Sequence, residues 1–278
     1  MTKKNWVFIF LPILLLTVVS SLVSLITPDF YFRDSAIIAM KSYHLDMIHL
    51  GFVVPLGIIM FILALKEKYW AKLFILGIMA DLAFMFGFNA FSVFFNELFL
   101  IYVVIFSLNV FGIILGYKDV QKTGNYSENK TKVRISASFL MLFAITAYAA
   151  WLIEVITSIM NGSVPESIAG MNLPSSVVHV FDMSFALPMI IIGAILLFKS
   201  KMSGLIISSI MATFTFFICI SILWMELTLQ YYDMHFDPGK LYSMYVLAPL
   251  SIYPLVTLHR AVSKLPNAFF TEEKRWSH

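Results

Sequence analysis

Eight long apolar stretches dominate the chain, and short polar segments separate them. Each stretch holds about 20 residues, the length an α-helix needs to cross a hydrocarbon core of ~30 Å. This pattern predicts an all-α polytopic membrane protein with about eight transmembrane helices. We place the helices at Trp6–Leu25, Met47–Leu65, Ala71–Phe95, Leu98–Gly116, Ile135–Ser158, Val177–Phe198, Gly204–Leu227 and Leu241–His259.

The composition supports a membrane class. Of the 278 residues, 60% are apolar and 13% are charged, about half the charged share of an ordinary soluble domain. The one cysteine, Cys219, lies within an apolar stretch, so no disulfide framework is possible. A net charge of +3 calls for no nucleic-acid partner. We expect the lipid bilayer to be the main partner of the chain.

The distribution of lysine and arginine predicts the orientation. Sixteen of these residues fall on one side of the eight-span arrangement, while Arg33, Lys41 and Lys240 fall on the other. Cytoplasmic loops of membrane proteins carry the excess of positive charge. We therefore expect both termini in the cytoplasm and the protein in the cell membrane.

The two halves of the chain resemble each other. The 14 residues from Pro55 and the 14 from Pro188 share seven identities, including the proline and a closing Lys-x-Lys. We predict a first four-helix repeat at 1–116, a cytoplasmic linker at 117–134, a second four-helix repeat at 135–260 and a cytoplasmic tail at 261–278. Four spans per half give both halves the same orientation, as in transporters built from parallel repeats.

Acids and histidines recur at one depth in both halves. Asp46 and His49 precede Pro55, and His179 and Asp182 precede Pro188 in the reversed order. A spacing of three places each pair on one helix face. Counting 1.5 Å per residue places the deeper member of each pair ~24 Å from the cytoplasmic helix end. The candidate ligand or ion site comprises Asp46, His49, Glu154, His179, Asp182 and Glu226, with Glu97 at a similar level.

Several chemistries fit this set. The leading hypothesis is an outward-facing site between the two repeats that binds or transports a metal ion, a proton or a small cationic solute. His49, His179 and Asp182 form the candidate metal set, because imidazole and carboxylate bind divalent ions. One alternative is a metal-dependent enzyme acting on a lipid-linked or extracytoplasmic substrate. Another is a scaffold or sensor without a ligand, and Asp46 and Glu97 also fit ordinary boundary residues.

Other polar groups lie apart from this set. Asp81 and Asn109 share a depth near the midplane, which fits either a packing hydrogen bond between them or a proton site. Asp233, His235 and Asp237 alternate in an outer loop, where they fit a solvated turn or part of a metal site. The outer segment 26–44 is expected to lie on the membrane or to cap the outer pocket.

One motif resembles a family. Val178, Asp182, Phe185, Leu187 and Pro188 match a Val-x-x-Leu-Asp-x-x-Phe-x-Leu-Pro run, with Phe181 in place of the leucine. The segment resembles uncharacterised polytopic membrane proteins of bacteria and archaea, in which this run opens a helix. The resemblance covers about a dozen residues and implies no particular activity.

Overall fold

A computed structural model describes residues 3–121, 124–126, 130–169, 171–234 and 236–265. Within these ranges the chain forms ten α-helices and two short π-helices, π1 and π2, and contains no strand. The helices are α1 Lys3–Ile26, α2 Ala36–Ile48, π1 His49–Val53, α3 Val54–Leu65, α4 Tyr69–Ser92, α5 Phe99–Val120, α6 Lys130–Asn161, α7 Val177–Phe181, π2 Asp182–Ala186, α8 Leu187–Phe198, α9 Met202–Tyr231 and α10 Pro238–Ser263.

Eight helical spans in the described residues are long and apolar enough to cross a membrane, which confirms the all-helical, eight-span prediction. Several spans are longer than predicted. The second begins at Ala36 rather than Met47, because Ser35 caps its first turn by accepting a hydrogen bond from the Ile38 amide. The helix continues through polar residues that the apolar pattern had left in a loop. Residues 122–123 and 127–129 of the predicted linker and 266–278 of the predicted tail lie outside the described residues.

The second and sixth spans carry the same irregularity. In π1 the Val54 amide donates to the His49 carbonyl, five residues back, and in π2 the Leu187 amide donates to the Asp182 carbonyl. Proline follows at once in each case, as Pro55 or Pro188. A proline ring lacks an amide proton and clashes with the carbonyl four residues earlier in an α-helix. The wider π turn relieves this conflict and leaves both spans continuous.

The core of the molecule lies between α4 and α9. Buried residues make up 72% of the apolar window of α4 and 89% of that of α9, but only 11% of that of α6. The two central helices approach closely at Gly77, where a Cβ atom would lie 2.3 Å from Thr213 Cβ and 2.8 Å from the Ile210 carbonyl oxygen. A glycine at this crossing allows the backbones to pack closely, as is usual between helices in membranes.

The remaining helices pack around this pair in matching ways. The helix α4 contacts α3 and α5, while α9 contacts α8 and α10. On the outside, α1 packs on α2, α3 and α5, while α6 packs on α8 and α10. Between the halves, α2 contacts α9 and α7 contacts α4. The third spans of the two halves, α4 and α9, therefore pack directly on each other.

Polar contacts at the two ends of the bundle differ. At one end the Trp6 indole donates to Asp119, which also pairs with Lys72 at 3.7 Å. At the other end the Phe94 amide donates to Asp34, linking the first and third interhelical loops, and burial raises the pKa of the Asp34 carboxyl. We call the first the lysine-rich end and the second the acid-rich end.

Candidate functional site

Two polar clusters at the acid-rich end share a plan. In each, a pair of residues three apart on the first span of a half faces a pair three apart on the second span. The first cluster is Ser21, Ser24, Tyr31, Asp46 and His49, and the second is Trp151, Glu154, Ser167, His179 and Asp182. The two pairs that precede the prolines, Asp46 with His49 and His179 with Asp182, thus have polar partners within their own half of the chain.

The first cluster is centred on the Asp46 carboxylate. The hydroxyls of Ser21 and Ser24 donate to it at 2.8 and 2.5 Å, and the Tyr31 phenol donates at 2.8 Å. Asp46 is only 2% exposed. Three hydroxyl donors around a buried carboxylate compensate for its lost hydration. The hydrogen-bonding capacity of Asp46 is therefore used mainly within the protein.

The loop after α1 closes this cluster from outside. Tyr31 lies in that loop and is buried. Burial, and to a lesser extent the nearby Asp46 carboxylate, raises the pKa of the Tyr31 phenol, so it remains a hydrogen-bond donor. His49 stacks on Phe86 with ring centroids 5.3 Å apart, and its Nδ1 lies 3.9 Å from the Asp46 carboxylate. Within segment 26–44, Tyr31 thus covers the Asp46 carboxylate.

The second cluster replaces the hydroxyls with an indole and a close contact between a carboxylate and an imidazole. Trp151 Nε1 donates to Asp182 Oδ2 at 2.9 Å, and its ring lies against His179 with centroids 4.2 Å apart. Glu154 Oε2 lies 3.5 Å from His179 Nε2, while Glu154 Oε1 accepts from the Ser167 amide at 2.8 Å. Trp151 therefore links the two residues of the α7–π2 pair.

Glu226 on α9 contacts the residues that begin α10. Its Oε2 accepts from the Asp237 amide at 3.0 Å, and its Oε1 lies 3.9 Å from Lys240 Nζ. The Asp237 side chain accepts from the Lys240 amide and so caps α10. In the predicted Asp-x-His-x-Asp alternation, Asp237 is thus a helix cap, while His235 lies outside the described residues.

A groove of about 770 Å³ runs between α6, α9 and α10. Its polar end contains five acids, Glu154, Glu166, Asp182, Glu226 and Asp237, and two cations, Lys41 and Lys240. The rest of its wall is mainly apolar, including Phe139, Leu142, Phe143, Phe214, Ile218 and Leu250. The groove therefore joins an acidic mouth to an apolar interior.

Only part of the predicted site lines this groove. Glu154, Asp182 and Glu226 do, whereas Asp46, His49 and His179 do not. Glu97 is exposed in the loop after α4. Among the described residues, no three or more histidines, cysteines or acids are grouped so that they could hold a metal ion. The predicted metal set of His49, His179 and Asp182 is therefore not assembled, since its members belong to two separate clusters.

The predicted hydrogen bond between Asp81 and Asn109 is wrong. The Asn109 side-chain amide donates to the Ile105 carbonyl of its own helix at 2.8 Å. Neither carboxyl oxygen of Asp81 has a hydrogen-bond partner among the described residues. Asp81 follows Gly77 by one turn and so faces toward α9 rather than α5. Residues counted to the same depth therefore need not meet, because the helix face also decides which side chains are in contact.

Sequence reasoning missed three residues that shape the site: Tyr31, Lys41 and Trp151. Trp151 had a usable signal, because it precedes Glu154 by three positions, the same spacing as in the His/Asp pairs. Lys41 was counted as an outer-loop charge, whereas it lies on α2 and lines the groove. Tyr31 had no signal, since its role depends on how the loop folds back over Asp46.

The resemblance at residues 178–188 stays a prediction based on the sequence. The structure places this motif at the wall of the groove, where Asp182 and Leu187 are lining residues. Comparison of the chain with protein-family models, with curated proteins and with solved structures found no match.

Proposed function

We propose that this protein is a cell-membrane binding protein or transporter for a small organic cation. One observation carries the proposal: the groove, lined mainly by the second half and by α2, has an acidic mouth and an apolar interior. Its volume of about 770 Å³ is within the ~300–1,000 Å³ range of small-molecule sites. Five carboxylates against two ammonium groups favour a positively charged ligand.

Three carboxylates are placed to bind the cation. Glu154, Asp182 and Glu226 come from different spans and all line the groove. Each accepts one hydrogen bond within the protein, from Ser167, Trp151 and Asp237 respectively. A carboxylate has about four lone-pair positions, so each can accept further bonds from a ligand.

The first half serves a different purpose in this proposal. Asp46 is enclosed by three hydroxyls, and Tyr31 covers the cluster. We propose that the halves are parallel repeats, one closed and structural, the other open and ligand-binding. Support comes from the matched π-helices before Pro55 and Pro188 and from the matched packing of α1–α5 and α6–α10.

The proposed orientation places the acid-rich end outside the cell. The excess of lysine and arginine at the opposite end supports cytoplasmic termini. The groove then opens toward the extracytoplasmic side and receives its ligand there. A protease-accessibility test on intact cells, with a cleavage site inserted next to the exposed Glu97, tests this orientation.

The binding test uses purified protein and tetramethylammonium as the probe. We expect Glu226→Gln to weaken binding about 5-fold, since it removes one charge while keeping the oxygen that accepts from Asp237. Glu97→Gln is the matched control, because Glu97 is an exposed acid at the same end and outside the groove. Equal affinity in the two variants would remove the basis of the proposal.

A second measurement separates transport from binding. Uptake of tetramethylammonium into vesicles that contain the protein, reduced in Glu226→Gln and not in Glu97→Gln, supports transport. Saturable binding without uptake supports a binding or sensing role at the same groove.

A further inference from the structure

Of the two cations in the groove, one lacks the ion-pair partners that the other has. Lys41 is partly buried on α2 and lines the groove. Glu226, Asp237 and Lys240 are close enough to interact with it electrostatically. Among the described residues, however, its ammonium makes no ion pair within 4 Å and no hydrogen bond, whereas Lys240 pairs with Glu226 and Asp237. Lys41 is thus free to bind an anionic group beside the acids.

The apolar part of the groove is long. Its wall on α6 runs from Glu154 to Phe139 and its wall on α9 from Leu229 to Phe214. Fifteen residues of helix span about 22 Å, more than the ~15 Å half-thickness of a hydrocarbon core. The groove therefore extends alongside a whole leaflet of the surrounding bilayer.

The groove also borders lipid. Leu142 on α6 and Leu250 on α10 line it and are exposed on the surface of the bundle. The apolar window of α6 is the least buried of the eight spans. An aliphatic chain lying in the groove is therefore continuous with the lipid around α6 and α10.

We propose that the ligand is a phospholipid with an amine headgroup, taken from the leaflet at the acid-rich end. This rests on the proposed cation site. The ammonium of the headgroup binds among Glu154, Asp182 and Glu226, the phosphate binds Lys41, and an acyl chain follows the apolar wall. Each charge of a zwitterionic headgroup then has a partner of opposite sign, and the chain has an apolar surface of matching length.

A soluble molecule with the same headgroup would satisfy the charges alone. The apolar wall favours the lipid, because only a ligand with an acyl chain covers that surface. Soluble phosphoethanolamine would leave that wall without a partner. The two sources therefore differ in affinity by many-fold, and a competition experiment distinguishes them.

The test measures lipid binding to the purified full-length protein by native mass spectrometry. We expect phosphatidylethanolamine to bind about 5-fold or more tightly than phosphatidylglycerol, which lacks the ammonium. Lys41→Met is expected to weaken phosphatidylethanolamine binding by a similar factor and to leave binding of octadecylamine, which has no phosphate, unchanged. Lys41→Arg should restore binding, and Lys68→Met at the lysine-rich end is the matched control.

Each result has a stated meaning. Equal affinities for the two phospholipids, equal effects of Lys41→Met and Lys68→Met, or competition by phosphoethanolamine as strong as by the lipid would each overturn the inference. If Lys41→Met does not fold, Lys41→Gln takes its place with the same expectation. Binding of tetramethylammonium that still depends on Glu226 would leave the cation site standing while the lipid assignment fell, so the two failures are distinguishable.

Discussion

Replacing Tyr31 by phenylalanine tests whether the first cluster holds the first half together. The change removes only the phenol oxygen, which donates to Asp46 at 2.8 Å and is buried. The ring keeps its edge contacts with Phe30 and Tyr43 at 5.1 and 5.2 Å. The difference from the wild type therefore reports on one hydrogen bond to a carboxylate.

The expected loss is about 1–2 kcal/mol. Hydrogen bonds to charged groups contribute ~1.5–3 kcal/mol in soluble proteins, but side-chain bonds in membrane proteins average ~0.6 kcal/mol with a maximum near 1.7. Ser21 and Ser24 still donate to Asp46, so the carboxylate is not left without partners. By the scaling for large domains, this loss lowers the melting temperature by roughly 2–8 °C.

The chain carries its own reporter of unfolding. Cys219 is its only cysteine, and its side chain is buried in α9. A maleimide dye that fluoresces on reaction with a thiol therefore reports the melting temperature in detergent. Tyr242→Phe, at a position 65% exposed, makes the same chemical change and should melt as the wild type does. Equal melting temperatures of the two variants would refute the reasoning. The losses in free energy of unfolding caused by Tyr31→Phe and Asp46→Asn should also couple by ~0.5 kcal/mol or more, so additive losses would refute it as well.

Two further stability predictions use the same assay. Gly77→Ala should lower the melting temperature by several degrees, because the added Cβ would collide with Thr213 and overpacking costs about 1–3 kcal/mol. Gly51→Ala is the control and should change the melting temperature little, because no atom lies within 4 Å of the added Cβ. Equal effects of the two substitutions would contradict the close crossing of α4 and α9. For Asp81→Asn we expect the free energy of unfolding to stay within ~0.5 kcal/mol of the wild-type value, since among the described residues the carboxyl has no hydrogen-bond partner to lose. A large drop in melting temperature would reveal an essential carboxyl contact.

The number and class of the spans followed from the sequence because hydrophobic length is a property of each segment alone. The helix boundaries were predicted less accurately from the sequence, since caps such as Ser35 extend a helix past its apolar part. The positions of Asp46, His49, His179 and Asp182 along their spans could also be counted, because the rise per residue of a helix is fixed. Both pairs do lie in polar clusters at one end of the bundle.

The composition of the site was harder to predict. Depth does not specify helix rotation or which spans are neighbours, so the sequence merged two clusters into one site. Asp81 shows the same limit: its depth matches Asn109, but its face turns toward α9. Residues that act through folded loops, such as Tyr31 over Asp46, depend on contacts that no spacing encodes.

The π-helices set the rotational phase of the spans that contain them. A single π turn amounts to one residue inserted into an α-helix, and one residue corresponds to about 100° of rotation. Compared with a continuous α-helix, α2, which carries Asp46, is therefore rotated by about this angle around the helix axis relative to α3. Deleting one residue from π1 would restore α-helical phase and swing Asp46 away from Ser21 and Ser24. Because of the inserted residue, the second span can face the same bundle with polar residues at one end and with apolar residues at the other.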